Sequence, residues 1–412
     1  MVSVPSCQTL RFPVPGENME PGTAEIRLPG DELLNWCEID AGAIRWNIDE
    51  FRRRLAPSST PAAVVKSNAY GHGMLAIADL ARQAGVEWLC VNSIDEAVDL
   101  REAGHSGRIL VMGYVPLDRL RDLVRLDLRP VVYNLETLAG LDEAAREAGR
   151  QLPLHLKLET GTHRQGIAPD EVEGFARKVV ASDSLVLEGV STHFANIEDS
   201  TDHSYAQQQI ARFKEISDRV RELAGKPLIR HAACSAATLL FTQTHLDLAR
   251  LGISLYGLWP SRETYVSCLD RGKPALELRP ALTWKSRLAQ IKTVAEGGFV
   301  GYGCTWRASR PSRIAVLPVG YHEGYDRGLS GVAHVLVRGR RAPVRGRVCM
   351  NMCMVDVTDV PGATLEDEVV LLGSQGAERI SAEQLAAWCG TISYEIVARI
   401  HASLPRVVIG ES

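Results

Sequence analysis

The chain has 412 residues, with 46 Lys and Arg against 50 Asp and Glu, a formal net charge of −4 and 45% hydrophobic residues. This slightly acidic balance argues against nucleic acid or an anionic membrane surface as the partner, so a small molecule is expected instead. No apolar run approaches the ~20 residues of a membrane span, and the first residues lack the charged and apolar regions of a secretion signal. A cytoplasmic protein with reduced cysteines is therefore expected, since none of the nine cysteines lies in a CxxC pair.

Residues 1–35 predict an irregular N-terminal extension. Their apolar residues show no sustained period, and proline and glycine interrupt them repeatedly. The interrupting residues are Pro5, Pro13, Pro15, Gly16, Pro21, Gly22, Pro29 and Gly30. The regular pattern begins at Trp36.

Eight short apolar runs alternate with amphipathic segments from Trp36 onward. The runs are 62–66, 88–92, 109–113, 130–134, 154–158, 186–192, 229–234 and 248–253. Continuous apolar character is typical of strands covered on both faces, as in a parallel sheet. One segment between them opens with Ser93 and Glu96 in the spacing of a capping box, which indicates a helix. The alternation predicts a (β/α)8 barrel of the TIM type over residues 36–275.

The pattern changes after residue 275 to segments with strand character. These segments are 282–291, 313–317, 333–337, 352–357 and 368–372. Glycine and proline turns separate them, and one clear helix follows over 381–389. The fold class is therefore α/β, with an N-terminal barrel followed by a mostly β C-terminal domain over 276–412.

Cys349 and Cys353 have a spacing that a metal site can use. A tetrahedral site needs four ligands, and no second Cys or His pair lies close by in the sequence. We therefore expect these thiols to pack as small apolar side chains, and no metal is predicted.

Lys66 closes the first apolar run, where a barrel places its catalytic groups. Four apolar residues precede it, so its amine is partly dehydrated. Dehydration lowers the pKa of a lysine and leaves a free amine that attacks carbonyl groups. An ordinary strand-end lysine that reaches solvent fits the same position, and position alone favours it.

Further polar residues follow the later strands. Arg164, His193 and Ser235 lie just past the fifth, sixth and seventh runs, and Arg250 lies inside the eighth. Ser235 could cap a helix whose N–H groups hold a phosphate, or cap it with no ligand. Arg250 needs an anionic or lone-pair partner inside an apolar barrel, which favours a functional role.

Tyrosines carry the candidate chemistry of the second domain. Tyr302 stands between two glycines, where a flexible backbone lets a phenol project, although a turn aromatic fits equally. Tyr321 and Tyr394 could serve a site or pack at an interface.

Taken together, the motifs resemble those of alanine racemases, fold-type III enzymes that depend on pyridoxal 5′-phosphate (PLP). The likeness runs from about Trp36 to the C-terminus. The motifs, in order, are AVVKSNAYGHG, KLETGTHRQG, STHFAN, CSAAT, LARLGISLYG, VGYGCTW, PVGYHEGY, RVCMN and TISYE. The first is the most specific of them.

This resemblance implies two bases for racemisation. Lys66 resembles the lysine that holds PLP covalently and then acts as one base at Cα. Tyr302 resembles the other base, which the second subunit of a homodimer supplies to the opposite face. A proton can then leave one face and return on the other.

The resemblance also implies a cofactor site. Arg250 resembles the arginine that donates to the pyridine nitrogen of PLP, with His193 behind it. A guanidinium only donates, so the ring nitrogen stays unprotonated and side reactions are suppressed. The residues that resemble the phosphate site are Tyr70, Ser235, Gly252, Ile253 and Tyr394.

The substrate site follows from the same resemblance. Arg164 resembles the residue that contacts the cofactor's phenolic oxygen and the substrate carboxylate. Lys157 matches a lysine that is often a carbamate and orients this arginine. Tyr321 and Met350 resemble the walls that the partner subunit adds to the pocket.

Two positions depart from the family pattern. Asn351 stands where many members carry Asp, and Trp306 where tyrosine is more usual, so both bear on substrate preference.

The leading function is an alanine racemase that supplies D-alanine for peptidoglycan; the alternative is a broader or serine-preferring racemase. A PLP-dependent decarboxylase is opposed by Arg250, because decarboxylases place a carboxylate at the pyridine nitrogen. A non-catalytic PLP carrier would lack the β domain that carries Tyr302.

Overall fold

The computed structural model describes residues 33–272 and 276–410. Of the irregular extension predicted over 1–35, residues 1–32 lie outside the described residues. The described chain begins with strand β1 (Asn35–Asp40) and helix α1 (Ala41–Arg54), which the Asp40 side chain caps by accepting the N–H of Ala43.

Eight parallel strands form a nearly closed barrel, so the predicted fold class is confirmed. They are β2 (Thr60–Val64), β3 (Trp88–Val91), β4 (Arg108–Val111), β5 (Arg129–Val132), β6 (Leu152–Lys157), β7 (Leu185–Ser191), β8 (Ile229–His231) and β9 (Leu248–Leu251). Each strand pairs with its neighbour in the chain from β2 to β8, and β9 pairs with β2. Between β8 and β9 the Arg250 N–H donates to the Ala233 carbonyl at 3.1 Å.

Helices cover the barrel and connect its strands. They are α2 (Lys66–Tyr70), α3 (Met74–Gln83), α4 (Ile94–Glu102), α5 (Leu120–Arg125), α6 (Leu135–Glu147), α7 (Val172–Val180), α8 (Ser204–Ala224), α9 (Ser235–Leu240) and α10 (Arg262–Asp270). The capping box predicted for α4 is present, with Ser93 and Glu96 bonded reciprocally. Within the described residues, no helix is long and apolar enough to cross a bilayer.

The second half is rich in strands. They are β10 (Leu282–Arg287), β11 (Gln290–Val294), β12 (Phe299–Val300), β13 (Trp306–Arg307), β14 (Ser312–Leu317), β15 (His334–Val337), β16 (Arg340–Pro343), β17 (Cys353–Asp356), β18 (Glu368–Gln375), β19 (Glu378–Ile380) and β20 (Arg406–Ile409). Helix α11 (Ala382–Cys389) follows β19 where the sequence predicts it, and α12 (Ser393–Ala398) is a second helix that the sequence pattern does not reveal. The segment predicted as one strand over 282–291 divides into β10 and β11, which enter two different sheets.

The first strand differs from its predicted place. The sequence assigns residues 36–275 to the barrel, yet β1 lies in the sheet of the second half, ordered β16-β15-β18-β10-β1-β20. Cys37 lies opposite Trp284 of β10 on one side and Arg406 of β20 on the other. A short, mostly buried strand has no feature that identifies its partner, since pairing depends on contacts far along the chain.

Candidate active site

A cavity of about 320 Å³ opens at the carboxyl ends of the barrel strands, where barrels carry their sites. All the site residues predicted in the barrel line it, and so does Tyr394 of α12. They are Lys66, Tyr70, Lys157, Arg164, His193, Ser235, Arg250, Gly252, Ile253 and Tyr394. Four of these side chains are Lys or Arg, so an anionic ligand is favoured.

The chain makes a left-handed turn directly after Lys66. Ser67, Asn68, Ala69 and Tyr70 have φ between 52° and 54°, a region that costs about 1–2 kcal/mol for each ordinary residue. Hydrogen bonds hold the turn, because the Asn68 side chain accepts the N–H of Met74 at 2.9 Å and the Glu96 carboxylate accepts the N–H of Ser67. The turn brings the Tyr70 ring into the cavity beside Lys66.

Gly71 fixes this turn against the second half of the chain. Its φ is +84°, and an added Cβ would lie 1.9 Å from the Val397 carbonyl oxygen of α12. Only glycine permits so close an approach. The contact places α12 over the barrel, with the rings of Tyr70 and Tyr394 5.9 Å apart.

Two lysines of the cavity have lowered pKa values. Burial lowers the pKa of Lys66, the positive charge of Arg164 adds to the effect, and Glu96 opposes it. Burial also holds the pKa of Lys157 well below its ordinary value, with Arg250 and Arg164 acting in the same direction. Both amines therefore lose their proton more readily than the amine of an exposed lysine does. The neutral amine is the form that attacks carbonyl carbon.

Arg250 is held rigidly at the cavity wall. Its two terminal nitrogens donate to His231 Nδ1 at 2.6 Å and to the carbonyl oxygens of His231, Thr192 and Ala232 at 2.9–3.2 Å. These four bonds use four of the five guanidinium N–H groups. Among the described residues, the Nε–H is the donor left for a ligand.

The histidine that contacts Arg250 is His231, and not His193 as the sequence resemblance implies. Arg250 lies on β9, beside β8, which ends at His231, whereas His193 follows β7. His193 lines the cavity, and burial with the charge of Lys157 holds its pKa well below its ordinary value. Its ring is accordingly neutral at neutral pH.

Ser235 does not cap α9 as the sequence suggests. Cys234 is the residue before the helix, and Ser235 is the first helical residue. The Ser235 hydroxyl instead accepts the N–H groups of Gly252 at 3.0 Å and Ser254 at 3.3 Å. Gly252 has no room for a side chain, because an added Cβ would lie 2.8 Å from the Tyr70 hydroxyl. The backbone itself therefore forms this wall of the cavity.

Glu198 is a cavity residue that sequence reasoning missed. It follows β7 in the loop after STHFAN, and its carboxylate accepts the Tyr394 hydroxyl at 2.8 Å. Burial raises the pKa of Glu198, the charge of Asp199 raises it further, and the bonds from Tyr394 and Cys234 oppose these effects. An acidic residue after a strand end was the available signal.

The remaining predicted residues lie outside the cavity. Tyr302 is 74% exposed, Met350 56% and Tyr321 43%. The two positions that depart from the family pattern have local contacts, since Asn351 donates to Glu323 at 2.8 Å and Trp306 packs under the Arg345 guanidinium. A single chain therefore brings the barrel residues together and leaves these three on its surface.

Two family models match the chain. The alanine racemase N-terminal domain matches residues 39–260, and the alanine racemase C-terminal domain matches residues 281–408. The chain belongs to the alanine racemase family. This membership confirms the resemblance drawn from the motifs.

Named alanine racemases are similar over nearly their whole length. The chain is 42% identical over 377 residues to the alanine racemase of Desulforamulus reducens, covering 91% of this chain and 99% of the relative. It is 44% identical over 366 residues to that of Syntrophobacter fumaroxidans, covering 89% and 95%. The alanine racemase from D-cycloserine producing Streptomyces lavendulae has a TM-score of 0.85 and 36% identity, covering 92% of this chain and 98% of that one.

Alanine racemases are isomerases that use PLP, so the protein is an amino-acid racemase acting on a small molecule. Membership of the alanine racemase family therefore argues against the two alternatives, a PLP-dependent decarboxylase and a non-catalytic PLP carrier. The cavity also suits PLP, because it combines a lysine of lowered pKa, a guanidinium with a free donor and a wall formed by the Ser235 hydroxyl and the backbone of Gly252 and Ile253. These groups match an aldehyde, a pyridine nitrogen and a phosphate.

Proposed function

We propose that this protein binds PLP through Lys66 and interconverts L-alanine and D-alanine. The observation that carries the proposal is the position of Lys66 at the end of β2, in a cavity with Arg250 and the Ser235–Gly252 wall. Its pKa is lowered by burial, which favours the neutral amine that bonds to an aldehyde. When bound, PLP supplies an electron-withdrawing ring that acidifies the Cα–H bond of the substrate.

The phosphate of the cofactor is assigned to one end of the cavity. Tyr70, Ser235 and Tyr394 would direct hydroxyl groups there, and Gly252 and Ile253 would add backbone N–H groups. A dianion needs several donors when it leaves water, and this set provides them. Arg250 would donate its Nε–H to the pyridine nitrogen and keep that atom unprotonated.

The reaction needs a base on each face of Cα. Lys66 would serve one face. Tyr302 would serve the other from the second subunit of a homodimer, which is supported by its 74% exposure and its position outside the cavity of its own chain. Tyr321 and Met350, also exposed, would add partner walls that limit the side chain to about a methyl group.

Arg164 would hold the substrate carboxylate and the phenolic oxygen of the cofactor. Lys157 lies beside it, and its strongly lowered pKa favours a neutral amine. A neutral amine adds to the carbon of carbon dioxide and releases a proton to solvent, and the resulting carbamate would carry a negative charge that orients Arg164.

The proposed role of the reaction is to supply D-alanine for peptidoglycan. The cytoplasmic location stays a prediction. A racemase of broader or serine-preferring specificity is the alternative, and the observation behind it is the neutral Asn351 amide bonded to Glu323 where many relatives carry an aspartate.

Chiral chromatography tests the proposal. Purified protein with added PLP is incubated with a panel of L-amino acids that includes alanine and serine. Selective formation of D-alanine is expected, and Lys66→Ala should abolish both this product and the absorbance of covalently bound cofactor. D-serine or several D-products would establish the broader racemase, and the absence of any D-product would refute the assignment.

A further inference from the structure

A chain of hydrogen bonds crosses the interior of the barrel from the cavity towards its opposite mouth. Arg250 donates to His231 Nδ1 at 2.6 Å, His231 Nε2 lies 2.7 Å from His155 Nδ1, and His155 Nε2 lies 3.1 Å from a carboxylate oxygen of Glu188. The four residues lie on β9, β8, β6 and β7. We refer to them as the cross-barrel chain.

Chemistry fixes the direction of every bond in this chain. A guanidinium only donates, so His231 Nδ1 must accept and its proton lies on Nε2. That proton goes to His155 Nδ1, which places the His155 proton on Nε2 as well. Glu188, when ionised, only accepts, so it matches the end of the chain. Both imidazoles therefore carry their proton on Nε2. The donor Arg250 at one end and the acceptor Glu188 at the other end require the same tautomer.

The barrel leaves space for this chain. The pairing of β6 with β7 is irregular between Leu154 and His155, and the irregularity places Gly189 opposite His155. An added Cβ at Gly189 would lie 2.6 Å from His155 Nδ1. A side chain at this position would therefore collide with the ring that reaches His231.

The surroundings are otherwise apolar. His155 and His231 are 0% and 1% exposed, and the rings of His155 and Trp88 pack edge to face with their centroids 5.8 Å apart. Trp88 belongs to a buried apolar cluster with Ala62, Val64, Cys90, Leu110, Val131 and Leu248. Polar groups buried in such a setting are costly unless every one is paired, so the loss of one end would disturb the rest of the chain.

Glu188 is the only partly exposed residue of the cross-barrel chain, and its carboxylate has ionic partners of its own. Its carboxylate lies 3.7 Å from Arg129, which also pairs with Asp127 at 2.9 Å. Burial is the largest influence and acts to raise the pKa of Glu188, but the bond from His155 and the charges of Arg129 and Arg108 together outweigh it, so the net pKa is lowered. Glu188 is therefore ionised at neutral pH and can serve as the fixed acceptor.

We propose that Glu188 and His155 are positioning residues for the racemase: acting through the His231 ring, they hold the Arg250 guanidinium in place with its Nε–H directed at the cavity. Neither residue touches the cavity itself. The proposal rests on the proposed function, because it concerns the donor assigned to the pyridine nitrogen. It extends that function to the opposite end of the barrel.

The test replaces Glu188, the last residue of the cross-barrel chain, and follows the tautomers of the histidine rings in the PLP-loaded protein. Glu188→Leu removes the acceptor, and Glu188→Gln keeps an acceptor of nearly the same shape without its charge. Asp127→Asn is the matched control, because it breaks the other ion pair of Arg129 and leaves the chain intact. Nitrogen-15 NMR of selectively labelled histidine reports tautomers directly, and the protein has 11 histidines.

In the wild-type protein, His155 and His231 are expected to show protonated Nε2 and unprotonated Nδ1. Glu188→Leu should shift the signals of both rings towards mixed tautomers and lower kcat about tenfold, while KM for alanine stays within about twofold. Glu188→Gln should shift the His155 signal and lower kcat by a smaller factor. Asp127→Asn should change neither quantity.

Unchanged histidine signals in Glu188→Gln would overturn the proposal, even if Glu188→Leu failed to fold. An equal loss of kcat in Asp127→Asn would also overturn it, because the effect would then come from the barrel mouth in general. The two proposals fail separately: a wild-type protein that forms no D-alanine refutes the function, whereas racemisation that is insensitive to Glu188 refutes only the positioning role.

Discussion

Glu198 places a carboxylate in the end of the cavity assigned to phosphate. Its carboxylate accepts the hydroxyl of Tyr394, one of the proposed phosphate donors, and lies near Cys234, next to Ser235. Its pKa is raised mainly by burial, so it takes up a proton more readily than an exposed glutamate. An incoming dianion would favour that proton further, since two neighbouring negative charges repel.

Replacing Glu198 by Gln is therefore expected to tighten PLP binding. At about pH 8 the affinity of the cofactor-free protein for PLP should rise roughly tenfold, a change of ~1.4 kcal/mol. The gain should shrink as the pH falls through the raised pKa of Glu198, because the wild-type side chain then becomes neutral. A fluorescence titration at two pH values measures this. Asp202→Asn, an exposed carboxylate of the same loop, should have no effect, and weaker binding by Glu198→Gln would contradict the prediction.

At the scale of single residues, the motif resemblance predicted Lys66, which position alone would have left as an ordinary lysine. Arg250 was predicted from its charge within an apolar run, and both residues line the cavity. His231 was missed because two histidines lie at the ends of neighbouring strands, and only the order of the strands around the barrel shows which one Arg250 reaches. His155 and Glu188 were missed because each looks like an isolated polar residue within an apolar run. Their partners lie on other strands.

The turn after Lys66 is an element held together by contacts from the other half of the chain. Four left-handed residues cost about 4–8 kcal/mol together. Such strain persists only when the surroundings determine the conformation, and here the contact of Gly71 with α12 contributes. The position of Lys66 is thus coupled to the packing of the second domain.

Gly71→Ala tests this coupling. The new Cβ would collide with the Val397 carbonyl, so we expect a loss of several kcal/mol in the free energy of unfolding together with weaker PLP binding. Gly104→Ala is the matched control, since Gly104 also has positive φ but no atom within 4 Å of an added Cβ. The control should cost only about 1–2 kcal/mol, measured by urea unfolding. Equal losses for the two variants would show that the contact with α12 is unimportant.

Elements were predictable from the sequence where burial on both faces gives a long apolar run. Strand β3, which reads WLCV and is buried throughout, is of this kind. By contrast, β16 reads RRAP and β19 reads ERI, and both contain exposed arginine or glutamate. Their strand conformation follows from their pairing with β15 and β18, which local sequence does not encode.

The whole molecule requires a second copy if Tyr302 is the base for the opposite face. Lys66→Ala and Tyr302→Phe are each expected to lose nearly all racemase activity. Mixing the two variants under conditions that exchange subunits should restore about a quarter of the wild-type activity, because half the dimers would be mixed and each would hold one intact site. The absence of any recovery, with exchange verified by mass spectrometry, would place both bases in one chain.

Buried histidines make the stability of the whole molecule sensitive to mild acid. Burial lowers the pKa of His72 to about 4 and lowers the pKa values of His155, His193 and His231. The unfolded chain takes up protons on these rings below about pH 6.5 while the folded chain does not. Stability should therefore fall as the pH drops from there, by up to about 1.4 kcal/mol per ring and pH unit.

Thermal unfolding of the cofactor-free protein checks this dependence. The midpoint should stay nearly constant between about pH 8 and pH 7 and then fall between about pH 6.5 and pH 5. Carboxylates of lowered pKa, such as Glu159 and Glu188, destabilise the protein only in a more acidic range. A midpoint that stays level down to about pH 5 would show that these rings titrate normally.

The pairing of β1 with β20 determines when the second domain can be completed during synthesis. Roughly 360 residues separate the two strands, so a ribosome adding about 5–20 residues per second needs roughly 20–70 s to deliver β20 after β1. The barrel strands emerge first, β10 then supplies one partner for β1, and the other edge of β1 stays unpaired until β20 is made. A chain cut between the two halves would leave β1 on the wrong fragment, and its partner sheet would lack the strand between β10 and β20.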